Sequence, residues 1–226
     1  MSGTELDVIW LTLKTALVST AISTPLAIWL GWKMASRHLR LKAIFEAVIS
    51  MPLVVPPVVT GYLLLMALGR NSALGNTLFN LFGWQFTFNF AALVLASMVV
   101  ALPLSVRAIR NAFEMVDPAY QNVAATLGAP PVAAFFKVTL PLALPGIISG
   151  VVLSFARSLG EFGATITLAG NISGKTQTVA LMIYANMQVP GSETQVWRLV
   201  GFSIALSLGA IAASEWFARK NRFQTK

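Results

Sequence analysis

Between Val8 and Trp32 the chain carries a single charged side chain, Lys14, and the apolar run then ends abruptly in Lys33, Arg37, His38, Arg40 and Lys42. About 20 such residues cross a bilayer as a helix, and hydrocarbon leaves the backbone no other partner than its own ladder. Comparable runs recur at about 43–68, 90–112, 138–160 and 199–218. The chain therefore reads as an all-α integral membrane protein with five transmembrane helices. Only 11% of its residues are charged and 56% are hydrophobic, against roughly 25% charged in a soluble domain. With 226 residues the whole of 1–226 is expected to be one transmembrane domain, without a nucleotide-binding or receptor domain.

The basic residues give the orientation. They crowd the loop after the first run, the segment around Arg107, Arg110 and Lys137, and the stretch Arg219, Lys220, Arg222, Lys226. Cytoplasmic loops carry such an excess, which predicts the N-terminus outside and the C-terminus inside. The same distribution accounts for the net charge of +8, so no nucleic-acid partner is expected. The first run lacks a small-residue cleavage pattern and is expected to be a retained helix. Thr176 to Val189 is apolar over about a dozen residues, too short for a crossing, and is expected to be a short re-entrant or interfacial helix on the outer side. Residues 69–89, with Asn71, Gly75 and Asn80 as turn formers, are expected to form a loop.

Proline interrupts the second run three times in six positions, at Pro52, Pro56 and Pro57. Each removes a ladder donor, so a broken stretch whose backbone lines a cavity is expected around Val55. Between the third and fourth runs, Asp117-Pro118 supplies an N-cap and a first helical residue, and Gly128 a stop. An Ala-rich loop helix follows from these signals, with Tyr120 and Leu127 as apolar anchors, and Pro131 opens a further helix toward Val138. From pattern alone this segment is either a docking surface or a plain connector.

The spacing Asn122-Val123-Ala124, then Gly128, then Val138-Thr139-Leu140-Pro141 resembles the EAA loop of binding-protein-dependent ABC importer permeases. The chain departs from that pattern with Asn122 for Glu and Val123 for Ala. The resemblance extends to Pro52–Tyr62, Val106–Arg110, Thr139–Gly146 and Phe155–Thr165, which look like the molybdate permeases of that family; sulfate permeases share the Leu159-Gly160-Glu161-Phe162-Gly163 core. It implies the type I ABC importer permease fold, with 117–137 as the coupling loop that docks on a cytoplasmic ATPase. It further implies a homodimer, two ATPase subunits, an external molybdate-binding protein, a place in the cytoplasmic (inner) membrane and transport by alternating access. The chain itself is expected to hold no cofactor, since ATP and magnesium belong to the ATPase. Tungstate or sulfate are the alternative cargoes. An ion-coupled transporter or a channel is the alternative of another class, disfavoured by the lack of internal repeats, and a membrane scaffold leaves the prolines and the capped helix unexplained.

Arg157 and Glu161 stand four residues apart at the end of the fourth run. They are read either as a mutual ion pair that fixes helix geometry or as direct participants in gating. The expected gate and translocation path comprise Pro52, Val55, Pro56 and Pro57 with Arg157, Ser158, Gly160, Glu161 and Gly163. Sparse positive charge within the runs suits a conduit that must release an anion. Gly170 to Thr176 ends like a phosphate-binding loop, but its glycines are one residue too close and no βαβ context surrounds it, so a glycine-rich turn is expected. Asn171-Ile172-Ser173 is a chance glycosylation pattern, and His38 is expected to be solvated. With no cysteine and one histidine, thiolate chemistry, disulfides and Cys or His metal clusters are excluded. No catalytic constellation is present, and no metal site is expected.

Overall fold

The computed structural model describes residues 3–35 and 42–222, with side chains described as far as Ala212; the expectation for His38 lies outside the described residues. Every regular element of the described chain is a helix. Helix α1 (Gly3–Ala35) is followed by α2 (Lys42–Val54), α3 (Pro57–Leu68), α4 (Ala73–Phe82), α5 (Phe90–Glu114) and α6 (Pro118–Thr126). Then come α7 (Pro131–Ala134), a π-helical turn (Phe135–Thr139), α8 (Leu140–Leu159), α9 (Gly163–Leu168), α10 (Val179–Asn186) and α11 (Glu193–Arg222).

Among the described residues four helical stretches are long and apolar enough to cross a bilayer, and a fifth if α2 and α3 count as one. That pair departs from the single run of 43–68: its halves bend by 110°. Pro56 and Pro57 are the cause, because a second missing N–H in succession leaves no ladder to carry α2 through, and Pro57 instead opens α3. The 69–89 segment is likewise more than a loop. Ser72 caps α4 by accepting from Gly75 N at 2.9 Å, and Gly83 closes it in the left-handed conformation. The fourth run begins earlier than 138, since helix continues from Pro131 to Leu159.

Helices α1, α5 and α8 form the centre. Hydrocarbon supplies no hydrophobic drive between helices, so close approach depends on small residues. Ile109 of α5 is fully buried. A Cβ on Gly31 of α1 would lie 2.9 Å from its Cγ2, and one on Gly150 of α8 would lie 2.9 Å from its Cγ1. One branched side chain thus fills notches on both neighbours. Gly146, a turn before Gly150, abuts Ala112 in the same way. Around this seam Ala16, Ser19, Ala27, Ala96, Ser97, Ser105 and Ser154 are buried. Helix α10 is the short helix expected in 176–189. Its first turn is tied to α1 by Val179 N, which donates to Thr12 Oγ1 at 2.9 Å, and Thr178 caps it. At the same end Glu5, buried, pairs with Arg198 of α11 at 3.2 Å.

Replacing Gly150 by Leu should overfill the Ile109 notch and destabilise the protein by about 1–3 kcal/mol, read as an earlier midpoint in detergent-solubilised thermal unfolding. Gly160→Ala, at a glycine with nothing within 4 Å of the new Cβ, should leave the midpoint unchanged.

Candidate coupling and translocation sites

The loop helix α6 is closed at both ends by its own sequence. Asp117 Oδ1 accepts from Ala119 N at 2.8 Å, with Pro118 at the first position. At the other end Ala129 N donates to Ala124 O and Gly128 N to Ala125 O, both at 3.0 Å. This is a Schellman stop, and it needs Gly128 at φ +79°, a conformation that costs any side chain roughly 1–2 kcal/mol. Asn122 and Val123 are exposed and Ala124 is buried. With Tyr120 (56% exposed), Leu127 (82%) and Val132 (68%), an apolar face stands clear of the rest of the protein.

The other face of α6 is anchored. Gln121 Nε2 donates to Thr139 Oγ1 at 3.1 Å, and Thr139 is buried in the π-turn. Phe135 of that turn packs on Trp32 of α1 and Phe113 of α5, with ring centroids 4.8 and 6.0 Å away. Val138 is half-buried in the same turn, Leu140 packs against the central core, and Pro141 lies in the first turn of α8. A cavity of about 710 Å³ lies beneath α6, lined in part by Trp32, Lys33, Lys42, Glu114, Gln121 and Thr139. Beside it Lys42 pairs with Glu114 at 2.9 Å, Arg110 with Glu46, and Arg110 with Glu114 at 3.5 Å. These four charges fasten the start of α2 to the last turns of α5. Sequence reasoning counted Arg110 among the basic residues after the third run and did not pair it with Glu46, which stands near the start of the second; their places at run ends on the same side were the available signal.

The second group of residues meets where α8 ends. Pro52 lies in α2, Val55 and Pro56 form the break, and Pro57 begins α3. Prolines at 52, 56 and 57 withhold the ladder donors from the carbonyls of Val48, Pro52 and Leu53. The structure brings this stretch against α9. A Cβ on Gly61 would collide with Thr167 Oγ1 and the Ala164 backbone, while one on Gly163 would lie 2.9 Å from both Pro57 Cβ and Val58 N. Two glycines, one on each helix, therefore set the contact. Gly163 is covered by α3, so its surface is not open to a passing anion; Gly160 is exposed.

Glu161 is buried and has two tasks. Its Oε1 accepts from Ala164 N at 2.8 Å, which closes the first turn of α9, and its Oε2 lies 2.8 Å from Arg157 Nη1 without the alignment of a hydrogen bond. Arg157 is partly exposed, at 29% of its side chain. Ser158, also buried, accepts from Ser19 Oγ of α1 at 3.3 Å. The mutual ion pair anticipated from the four-residue spacing is thus present, and it shapes the turn between α8 and α9. The turn at 170–176 is a compact knot: Thr176 Oγ1 accepts from Ile172 N at 3.0 Å and donates to Gly170 O at 3.2 Å.

Glu161→Gln keeps an acceptor for Ala164 N but loses the pair with Arg157, and should cost about 1–2 kcal/mol given the partial exposure of the arginine. Glu161→Ala should lose about 1 kcal/mol more with the cap. Unfolding midpoints in the order wild type, Gln, Ala check this; equal midpoints for Gln and Ala would show that the cap contributes nothing.

Residues 23–223 match the family model of the binding-protein-dependent transport system inner membrane component. The molybdenum transport system permease protein ModB of Haemophilus influenzae is 49% identical over 216 residues, covering 96% of this chain and 94% of that one. Its Escherichia coli K12 counterpart is 45% identical, covering 98% and 97%. Among solved structures, a chain of the inward-facing MetNI methionine ABC transporter superposes with a TM-score of 0.75 at 17% identity, covering 97% of this chain and 99% of that one. A chain of the bacterial alginate ABC transporter, solved in complex with an alginate pentasaccharide-bound periplasmic protein, gives 0.76 at 15%, covering 97% and 80%. At such identities the structural likeness establishes the fold.

Proposed function

The chain belongs to the family of binding-protein-dependent transport system inner membrane components, and we propose here how its helices carry out the work of a molybdate importer. It is an inner-membrane permease subunit of an ABC transporter for molybdate, and ATP hydrolysis is the task of a separate ATPase. The observation that carries the molybdate reading is near-full-length likeness to the molybdenum permeases, which includes both the coupling and the α3–α9 regions.

The exposed face of α6, with Asn122 and Val123 at its centre, is the ATPase dock, and the protein works as a homodimer on two ATPases, fed by an external molybdate-binding protein. The N-terminus lies outside and the C-terminus inside, as the basic residues favour. Closure of the ATPases pushes on α6. Supporting this, Gln121 holds α6 to Thr139 of the π-turn, which runs directly into α8 at Leu140. Helix α8 ends at Arg157, Ser158 and Gly160, and Glu161 fixes α9 against the broken α2–α3 pair. Movement of the dock therefore reaches the stretch Pro52–Pro57 through a continuous stiff path. Gly160, open to solvent, and the carbonyls freed by the prolines then contact the oxyanion weakly enough to release it. Glu161 and Arg157 position this gate without holding the anion.

Gly128→Trp should leave membrane insertion intact and abolish co-purification of the ATPase, because the left-handed stop of α6 is lost. Gly128→Asn, which tolerates that conformation, should retain at least part of it. Normal co-purification with the Trp variant would remove α6 as the dock. Uptake of radiolabelled molybdate into vesicles, with unlabelled sulfate in equal amount, checks the cargo: the expected result is undiminished uptake, and suppression by sulfate would reassign the permease.

A further inference from the structure

At the other end of α1 from the coupling loop, a cleft of about 300 Å³ opens between the helix and the 170–176 turn, lined by Thr4, Asp7, Trp10, Lys14, Ser173 and Gln177 among others. Asp7 and Lys14 are both exposed, and neither is in an ion pair among the described residues. The ammonium of Lys14 lies 4.8 Å from the centroid of Phe90. Glu5, by contrast, turns inward to Arg198. The cleft thus presents one anion and one cation, with Trp10, 64% exposed, between them in sequence.

The cleft continues into the lipid-facing stripe of α1, where Leu6, Leu17, Ile22 and Trp29 are exposed. Trp10 and Trp29 are 19 residues apart, or about 28 Å along a helix, which is close to the roughly 30 Å of a hydrocarbon core. Tryptophans favour the two interfaces, so Trp10 marks the headgroup level. Asp7 lies one turn toward water from it. Lys14 lies one turn toward the hydrocarbon, within the length of a lysine stem of the headgroup level. This order does not depend on which leaflet holds the end of α1.

We infer that this cleft binds the headgroup of a zwitterionic aminophospholipid, with its phosphate on Lys14 and its ammonium on Asp7. The match is one of polarity along the membrane normal. In such a lipid the phosphate is joined to the glycerol and lies deeper, while the amine extends outward; the protein places its cation deep and its anion shallow. A purely anionic lipid satisfies Lys14 and sets its headgroup against Asp7. A quaternary ammonium offers Asp7 charge but no N–H to accept. Ser173 and Gln177, from the rigid turn, supply polar atoms on the opposite wall. The inference rests on α1 spanning a membrane and not on the cargo.

The importer, permease with its ATPase, is extracted into detergent with equal amounts of phosphatidylethanolamine, phosphatidylglycerol and phosphatidylcholine, and bound lipid is read by native mass spectrometry. Wild type should retain phosphatidylethanolamine in preference to the other two. Lys14→Gln should lower its retention about fivefold, the scale of one exposed charge contact, and Lys14→Arg should restore it. Asp7→Asn should erase the preference over phosphatidylglycerol. Retained ATPase verifies that each variant is folded. A photoreactive phosphatidylethanolamine should label the wild-type peptides around Thr4–Lys14 and Ser173–Gln177, whatever the variants do. Unchanged lipid profiles across the variants, equal retention of phosphatidylglycerol by wild type, displacement by millimolar inorganic phosphate, or labelling confined to other peptides would each overturn the inference.

Discussion

Everything in this molecule hangs on how closely three helices can approach where no water drives them together. Ile109 achieves it by entering notches that Gly31 and Gly150 leave on either side. In an aqueous core such a side chain would be one contributor among many, since burial itself is favourable there. In hydrocarbon the gain comes from packing alone, so the missing Cβ atoms matter more than the isoleucine's greasiness. The notch positions α8 relative to α1 and α5. From that placement follow Ser158 against Ser19 and the direction in which α8 delivers Glu161 to α9.

The same economy recurs at the contact between α3 and α9. Helix α3 owes its separate axis to Pro56 and Pro57, and a broken helix inside a membrane exposes carbonyls that must be covered by protein or by a wet cavity. Helix α9 covers one side, brought near by Gly61 and Gly163. The covering helix is only six residues long and depends on a buried carboxylate for its first turn. Strength and movability are therefore combined at one joint: the contact is tight, but each partner is short, and the arginine that balances the carboxylate reaches the surface.

Much of this architecture is legible in the linear sequence. The apolar runs, the break at Pro56 and Pro57, the Asp117-Pro118 start and Gly128 stop of α6, and the opening of a helix at Pro131 are all local signals, and local physics decided them. The four-residue spacing of Arg157 and Glu161 likewise announced a helical neighbour pair. What stayed hidden was decided between distant segments. Gly146, Gly150, Ser154 and Ser158 stand at four-residue intervals along α8, a small-residue spacing that marks a helix-packing face, but it does not name Ile109 as the residue received. Lys42, Glu46, Arg110 and Glu114 find one another only after the chain has turned back on itself. Helix α4 was overlooked although Ser72 and Gly83 bracket it, because Gly75 and Asn80, turn formers in a linear reading, here lie within a capped amphipathic helix. Gly163 was expected to face the path and instead backs onto Pro57, since nothing in its own neighbourhood says which side α3 occupies.

The π-turn between α7 and α8 resets the helical phase of the stretch that contains it. Leu140 N bonds to Phe135 O, five residues back, so one residue more than an α-helix needs is spent in that turn. Each residue of an α-helix advances the side chain by about 100°. The surplus residue therefore shifts the angular phase between Pro131–Ala134 and everything after Leu140 by about that amount. Side chains on opposite sides of the turn that a helical wheel would align on one face are about a quarter-turn apart in the molecule. A helix that is continuous from Pro131 to Leu159 thus changes, at this one turn, the direction in which its successive side chains point.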